Sequence, residues 1–144
     1  MQRPISAQEA RQLNPIVLAF VGDAVYSLYV RERMVCSGDG KASSFQRAAS
    51  RIVSAEGQSK FLDALLPLFT EEENEILRRG KNAKKATKSK NASAADYNRS
   101  TGFEAVVGYL YLTGADERLA ELFSHADPSL FAAEDAPTGF RPSR

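Results

Sequence analysis

Residues 15–30 form an apolar segment that constrains the fold more than any other part of this 144-residue chain. Its apolar residues recur at helical spacing, and they cover nearly every face of the helix that this spacing predicts. They are Ile16, Val17, Leu18, Phe20, Val21, Val25, Leu28 and Val30. Because a helix that is apolar all round has to be covered by other elements, we expect this one to be central and buried.

Helical periodicity also runs through the rest of the chain, and no alternating apolar and polar run extends beyond a few residues. We therefore predict an all-α fold, with a single domain over residues 1–126. The predicted helices are 15–34 with Asn14 as N-cap, one from a Ser43/Ser44 cap to 66, 71–79 after a Thr70/Glu73 capping box, 94–112 and 116–126. Gly80 and Gly114 are expected to end the third and fourth of these helices. Residues 127–144 hold three of the six prolines and little periodicity, which predicts a partly disordered tail.

The composition excludes several classes of protein. Hydrophobic residues make up 43% and charged residues 26% of the chain, which is typical of a globular domain. The single cysteine, Cys36, cannot form an internal disulfide or a Cys/His zinc cluster, and this favours a reducing cytoplasm. Asp23 interrupts the apolar segment, which is also shorter than the roughly 20 residues that a bilayer requires. We expect a cytoplasmic protein with no membrane segment and no export signal.

Positive charge is concentrated in one part of the chain, although 19 basic and 18 acidic residues nearly balance overall. We call residues 78–90 the basic segment, because they contain seven basic residues and no acid. These are Arg78, Arg79, Lys81, Lys84, Lys85, Lys88 and Lys90. Outside the basic segment, 12 basic residues face 18 acidic ones, so a mildly acidic body carries a solvated basic loop. This distribution indicates an anionic partner, although such a loop is also a common form of flexible connector.

Two acids lie alone within apolar helical segments. Asp23 is the one charge in residues 15–30, and Glu104 is the one charge in residues 101–114. An ionised carboxylate that leaves water loses several kcal/mol, whereas a domain has only about 5–15 kcal/mol of total stability. Each acid therefore needs a positive partner or a water-filled cleft.

Three interpretations of the two acids remain open at this point. They pair with arginines such as Arg51 or Arg99 or reach the surface, they converge on a divalent cation, or they form a glycosidase-type acid/base pair. The third is the weakest, because the chain has no tryptophan to stack on a sugar and would have no use for the basic segment. Mg²⁺ is typically held by one or two carboxylates together with substrate phosphates, so two acids would suffice.

Glycines lie close to both acids in the sequence. Gly22 precedes Asp23, while Gly102 and Gly108 flank Glu104 inside a predicted helix, where glycine is unfavourable by about 0.5–1 kcal/mol relative to alanine. A missing side chain allows either close helix packing or the close approach of a ligand. Together with the basic segment, whose charges would neutralise phosphates, this pattern indicates a small helical protein that acts on phosphodiesters, with or without a metal.

Longer motifs around the two acids resemble a known family. Residues 20–25, with the sequence FVGDAV, resemble the signature helix of the ribonuclease III catalytic domain, and residues 103–112 resemble its second acidic helix. Both motifs occur in the family's order. The blocks at 79–83 and 100–104, together with the lack of a double-stranded-RNA-binding domain, are similar to the bacterial Mini-ribonuclease III branch. The resemblance covers residues 13–122.

This resemblance implies an all-helical, Mg²⁺-dependent endoribonuclease that cleaves double-stranded RNA as a homodimer and matures the ends of the 23S ribosomal RNA precursor. Asp23 takes the position of the catalytic aspartate, and Glu104 that of the metal-binding glutamate. Ala19 and Thr101 depart from the pattern, because the larger enzymes carry acids there. The basic segment becomes the expected contact with the RNA duplex. The alternative is a non-catalytic RNA-binding or ribosome-assembly module on the same fold.

Overall fold

The computed structural model describes residues 2–37, 40–83 and 93–127. Over these ranges the chain forms seven α-helices and no strand, which confirms the all-α prediction. The helices are α1 (Ala7–Gln12), α2 (Pro15–Ser37), α3 (Ala42–Val53), α4 (Ala55–Leu65), α5 (Glu71–Asn82), α6 (Ala94–Leu112) and α7 (Asp116–Phe123), with one 3₁₀ turn at Leu66–Leu68.

Helix α6 is the centre of the fold. It packs most extensively against α2, and it also contacts α5 and α4. Every residue from 100 to 110 is buried except Glu104, so the hydrophobic core surrounds α6 on nearly all sides. Aromatic rings from three other helices fill this core, and the Tyr26 ring meets the Phe103 ring edge-on at 5.0 Å. One acid is thus held on the most buried helix of the protein.

Helix α2 is only partly buried, and the prediction that it is covered all round is wrong for this single chain. Its buried residues repeat every four positions, as Leu18, Gly22, Tyr26, Val30 and Met34. The opposite side exposes four large apolar residues, Val17, Phe20, Leu28 and Val35, which we call the exposed apolar stripe. Phe20 is 80% exposed. Because the other helices pack on one side of α2, only that side is removed from water.

The predicted helix from Ser43/Ser44 to residue 66 is two helices. Helix α3 already begins at Ala42, so the two serines lie inside it and do not cap it. The two helices are separated at Ser54, whose Oγ accepts a hydrogen bond from the Gly57 N–H at 3.1 Å and caps α4. A Cβ atom at Gly57 would lie 2.4 Å from the Ile52 carbonyl oxygen, so only glycine lets α4 turn back this tightly.

Helix ends supply the remaining differences from the sequence predictions. Gly80 does not end α5, which continues to Asn82. A Cβ atom at Gly80 would lie 2.8 Å from the Gly102 Cα, so this glycine serves the close contact between α5 and α6. Helix α7 ends at Phe123, three residues before the predicted end, and α1 was not predicted. The Thr70/Glu73 capping box and the bounds of α6 are confirmed.

No helix within 2–37, 40–83 and 93–127 combines the length and the apolar character that crossing a bilayer requires. The predicted tail beyond Asp127, and the lysines at 84, 85, 88 and 90 of the predicted loop, lie outside the described residues.

Candidate active site

Helices α2 and α6 cross through two glycines. A Cβ atom at Gly22 would lie 1.8 Å from the Glu104 carbonyl oxygen, and one at Gly108 would lie 1.9 Å from the Leu18 carbonyl oxygen. Neither distance leaves room for any side chain, so the two backbones are in direct contact on both sides of the crossing. The Glu104 backbone packs against Gly22, and Asp23 is the next residue after that glycine. The crossing therefore places Asp23 beside Glu104.

The carboxyl group of Asp23 lies beside that of Glu104, close enough to raise the pKa of Glu104. Asp23 is exposed, whereas Glu104 is half-buried on α6. The two acids that the sequence singled out, 81 positions apart in the chain, therefore share one site at the edge of the core. Arg99, one of the arginines considered as a partner, instead donates from Nε to the Ser59 Oγ at 2.7 Å and also binds Asp63.

The surroundings of Glu104 favour its protonated form. Burial raises the pKa of Glu104, the neighbouring Asp23 raises it further, and a hydrogen bond from Gln58 opposes the shift, with a resulting pKa of about 8. With a pKa of about 8, Glu104 is thus mainly protonated at neutral pH. A cation at this position would take the place of that proton, which makes the pair a candidate cation site.

Gln58 contacts Glu104, and the sequence analysis did not identify this residue. Its Nε2 donates to the Glu104 Oε2 at 3.1 Å and to the Val53 carbonyl oxygen at 2.9 Å. The side chain lies at the start of α4 and is only 2% exposed. A glutamine in an amphipathic helix gives no signal that distinguishes it from a surface residue. The nearest available hint was the Ser54 to Gly57 pattern that turns α4 toward α6.

Comparisons with known proteins agree with this geometry. The ribonuclease III domain family matches residues 16–115. Mini-ribonuclease 3 of Brevibacillus brevis is 44% identical over 126 residues, which are 88% of this chain and 94% of that protein. The enzyme of the same name from Symbiobacterium thermophilum is 46% identical over 79% of this chain and 88% of its own length. The chain belongs to the Mini-ribonuclease III branch of the ribonuclease III family. It is therefore an endoribonuclease.

A solved structure shows a similar fold. The crystal structure of protein FN1578 from Fusobacterium nucleatum superimposes with a TM-score of 0.72 at 26% sequence identity. The match covers 79% of this chain and 91% of that one. The resemblance noted in the two acidic motifs is thus confirmed at the level of family and fold.

The acids of this Mini-ribonuclease III chain fit a hard cation such as Mg²⁺. Within the described ranges no group of three or more His, Cys, Asp or Glu side chains is placed to hold a metal. Ala19 and Thr101, the two positions that depart from the larger enzymes, are both buried, and the Thr101 Oγ1 donates to the Tyr97 carbonyl oxygen at 3.0 Å. The protein thus offers the two carboxylates of Asp23 and Glu104, a set that suits Mg²⁺ when water and phosphate oxygens complete the shell.

The described part of the basic segment begins beside α6. The Lys81 side chain lies against Gly102, where an added Cβ atom would be 2.8 Å from the Lys81 Cγ. Arg78 forms an exposed ion pair with Glu75. Arg79 donates to the carbonyl oxygens of Arg11 at 2.9 Å and Leu13 at 3.3 Å, so its guanidinium holds the end of α1.

Replacing either crossing glycine tests whether the helix contact builds the site. In an exposed helix, Gly→Ala stabilises by about 0.5–1 kcal/mol. Gly22→Ala and Gly108→Ala should instead destabilise by several kcal/mol, on the order of 3 or more, because the new methyl group collides with a backbone carbonyl. Thermal unfolding measures the effect. A melting temperature equal to or above that of the wild type would contradict the crossing as described.

Proposed function

We propose that this endoribonuclease hydrolyses the phosphodiester backbone of double-stranded RNA with Mg²⁺, and that it matures the ends of the 23S ribosomal RNA precursor in the cytoplasm. The observation that carries the proposal is the contact between Asp23 and Glu104 on a chain of the ribonuclease III family. We take residues 1–126 as the catalytic unit, with 127–144 as a tail outside it.

In this proposal Asp23 and Glu104 hold the metal and are the catalytic residues. Mg²⁺ held by these two carboxylates would supply a water of lowered pKa and would stabilise the charge that develops on the phosphate. Asp23 is exposed on α2, so it is accessible to an RNA backbone that lies across the crossing. The Glu104 side chain accepts a hydrogen bond from Gln58, and its neighbours on α6 are buried. Water attacks the phosphorus and loses a proton to solvent, the bond from phosphorus to the leaving ribose oxygen breaks, and that oxygen takes up a proton from solvent to become a hydroxyl.

Asp23→Asn and Glu104→Gln test the assigned roles. Both variants should remain folded and bind duplex RNA while losing cleavage by 10³-fold or more, on the order of the loss when a group that stabilises the transition state is removed. Glu104→Gln should also keep the melting temperature of the metal-free protein at neutral pH, because Glu104 is already uncharged there.

The measurement is cleavage of a long labelled duplex with Mg²⁺ and with chelator, beside RNA binding in chelator. Glu56→Gln, which neutralises an exposed acid on α4, is the matched control and should cleave at the wild-type rate. Cleavage by Asp23→Asn in Mg²⁺ at a rate near that of the wild type would refute its role.

We propose that the basic segment binds the RNA. A-form duplexes are recognised through shape, phosphates and 2′-hydroxyls, and a segment with seven basic residues and no acid is suited to contact the phosphates. The contact of Lys81 with Gly102, two residues before Glu104, supports this assignment. The residues proposed to bind the RNA are Arg78, Arg79, Lys81, Lys84, Lys85, Lys88 and Lys90.

The salt dependence of binding tests the basic segment. Replacing Lys84, Lys85, Lys88 and Lys90 together by alanine should weaken duplex binding and reduce the slope of log K against log [salt] by up to roughly 0.9 for each lysine that contacts a phosphate. Binding is measured with Asp23→Asn as background, so that the RNA stays intact. A double replacement of Lys41 and Lys60 removes charge elsewhere and should leave the slope nearly unchanged. An unaltered slope in the fourfold variant would show that the segment is only a connector.

We also propose that the active form is a homodimer built on the exposed apolar stripe of α2. Four large apolar side chains on one helix face are unusual on the surface of a monomer and are typical of an interaction site. A two-fold axis through this face presents the same patch on both copies and places two acidic sites side by side, one for each RNA strand.

Phe20→Glu tests the dimer. Phe20 is the most exposed of the large apolar residues described, and a charge there should separate the copies into monomers and reduce cleavage of both strands. Sedimentation velocity gives the mass. Leu68→Glu, at an apolar side chain that is 37% exposed and lies off the stripe, is the control and should sediment like the wild type. A dimer that persists in Phe20→Glu would move the interface away from α2.

A further inference from the structure

We propose that Gln58 is a positioning residue that makes Glu104 bind the cation through a single oxygen and thereby makes the site prefer Mg²⁺ to Ca²⁺. This inference rests on the proposed function, since it assigns a task toward the cation that Asp23 and Glu104 would hold. Gln58 itself contacts neither RNA nor metal in this proposal. It acts through Glu104.

The contacts of the Gln58 amide hold it rigidly. Its Nε2 has two hydrogens, and both are used, one on the Val53 carbonyl oxygen at 2.9 Å and one on the Glu104 Oε2 at 3.1 Å. The first contact anchors the amide to the end of α3, and the second presents a donor to one chosen oxygen of the carboxylate. With 2% of its surface exposed, the side chain is enclosed by protein on nearly all sides.

The oxygen of the same amide argues against a purely structural role. Gln58 Oε1 is buried and accepts no hydrogen bond from any residue in the described ranges. An unsatisfied buried oxygen is unfavourable, and an apolar side chain of equal length would fill the space without it. The amide is therefore explained by what its nitrogen does, and the nitrogen donates to Glu104.

Fixing one oxygen of Glu104 affects metal choice. The hydrogen bond from Gln58 occupies one lone pair of Glu104 Oε2 and restrains the rotation of the carboxylate, which favours a cation bound through Oε1 over one bound through both oxygens. Mg²⁺ requires a small, nearly octahedral shell of single oxygens, whereas Ca²⁺ accepts more ligands and often takes both oxygens of one carboxylate. Partners that hold a ligand in place typically change metal affinity 10–100-fold when they are removed.

The experiment compares Mg²⁺ and Ca²⁺ binding to the full-length, chelator-treated protein without RNA, by the rise in melting temperature across a titration of each metal chloride. Gln58→Met keeps the length of the side chain and removes both donors. Gln58→Asn keeps the amide but withdraws it from Glu104, and it serves if the first variant does not fold. Ser59→Ala is the matched control, because it breaks the neighbouring hydrogen bond from Arg99 between α4 and α6 without reaching Glu104.

Gln58→Met is expected to bind Mg²⁺ at least about 10-fold more weakly, while Ca²⁺ binding changes much less, so that the preference for Mg²⁺ falls. Ser59→Ala should lower the melting temperature of the metal-free protein and leave both titrations in place. Unchanged Mg²⁺ binding in a folded Gln58 variant, or an equal loss for both metals, would overturn the proposal. A wild-type protein that neither binds Mg²⁺ nor cleaves RNA with it would instead refute the proposed function itself, which separates the two failures.

Discussion

The crossing of α2 and α6 at Gly22 and Gly108 is the constraint on which the rest of this structure depends. With a carbonyl oxygen less than 2 Å from where each missing Cβ would be, the two backbones touch, and no pair of larger residues would allow the same approach. Close contact over the middle of both helices, together with the packing of α5 and α4, buries every residue of α6 from 100 to 110 except Glu104. It also fixes the register of one helix against the other. A shift of one residue along either helix would carry Asp23 to a different side of α2, about 100° away, and separate it from Glu104.

The same crossing creates an electrostatic difficulty that the site resolves locally. The carboxylates of Asp23 on α2 and Glu104 on α6 would repel each other if both were ionised, and burial together with Asp23 raises the pKa of Glu104 to about 8. Glu104 is then mainly neutral at neutral pH, Asp23 is exposed to water, and a cation at the pair would take the place of the Glu104 proton. Gln58 acts in the opposite direction, because its donor favours the ionised form of Glu104. The pair is thus poised between proton and cation, which a salt bridge to an arginine would not allow.

Sequence reasoning reached the helices, the two acids and the family, because each rests on a local pattern. The capping box at Thr70 and the apolar run of α6 are visible in the chain itself, and the lone charges at 23 and 104 stand out against apolar neighbours. It failed where tertiary contacts decide. Gly80 is of the residue type that typically ends a helix, yet it lies inside α5, where Gly102 packs against it. Phe20 belongs to an apolar run, but no helix in the described part of the chain covers it. Gln58 carries no sign of its partner, since its contact with Glu104 spans 46 positions.

The thinned acidic set links metal binding to RNA binding under the proposed function. Ala19 and Thr101 are each 6% exposed, so an acid at either position would need a new partner in the core, and the site is limited to two carboxylates. Such a set leaves most of the coordination shell of Mg²⁺ to water, and a phosphate oxygen of the substrate improves it. Metal affinity therefore rises when a duplex is held at the crossing. Under the same proposal the basic segment, whose Lys81 contacts Gly102, would have two tasks, because each phosphate that it positions at the acids would also complete the metal site.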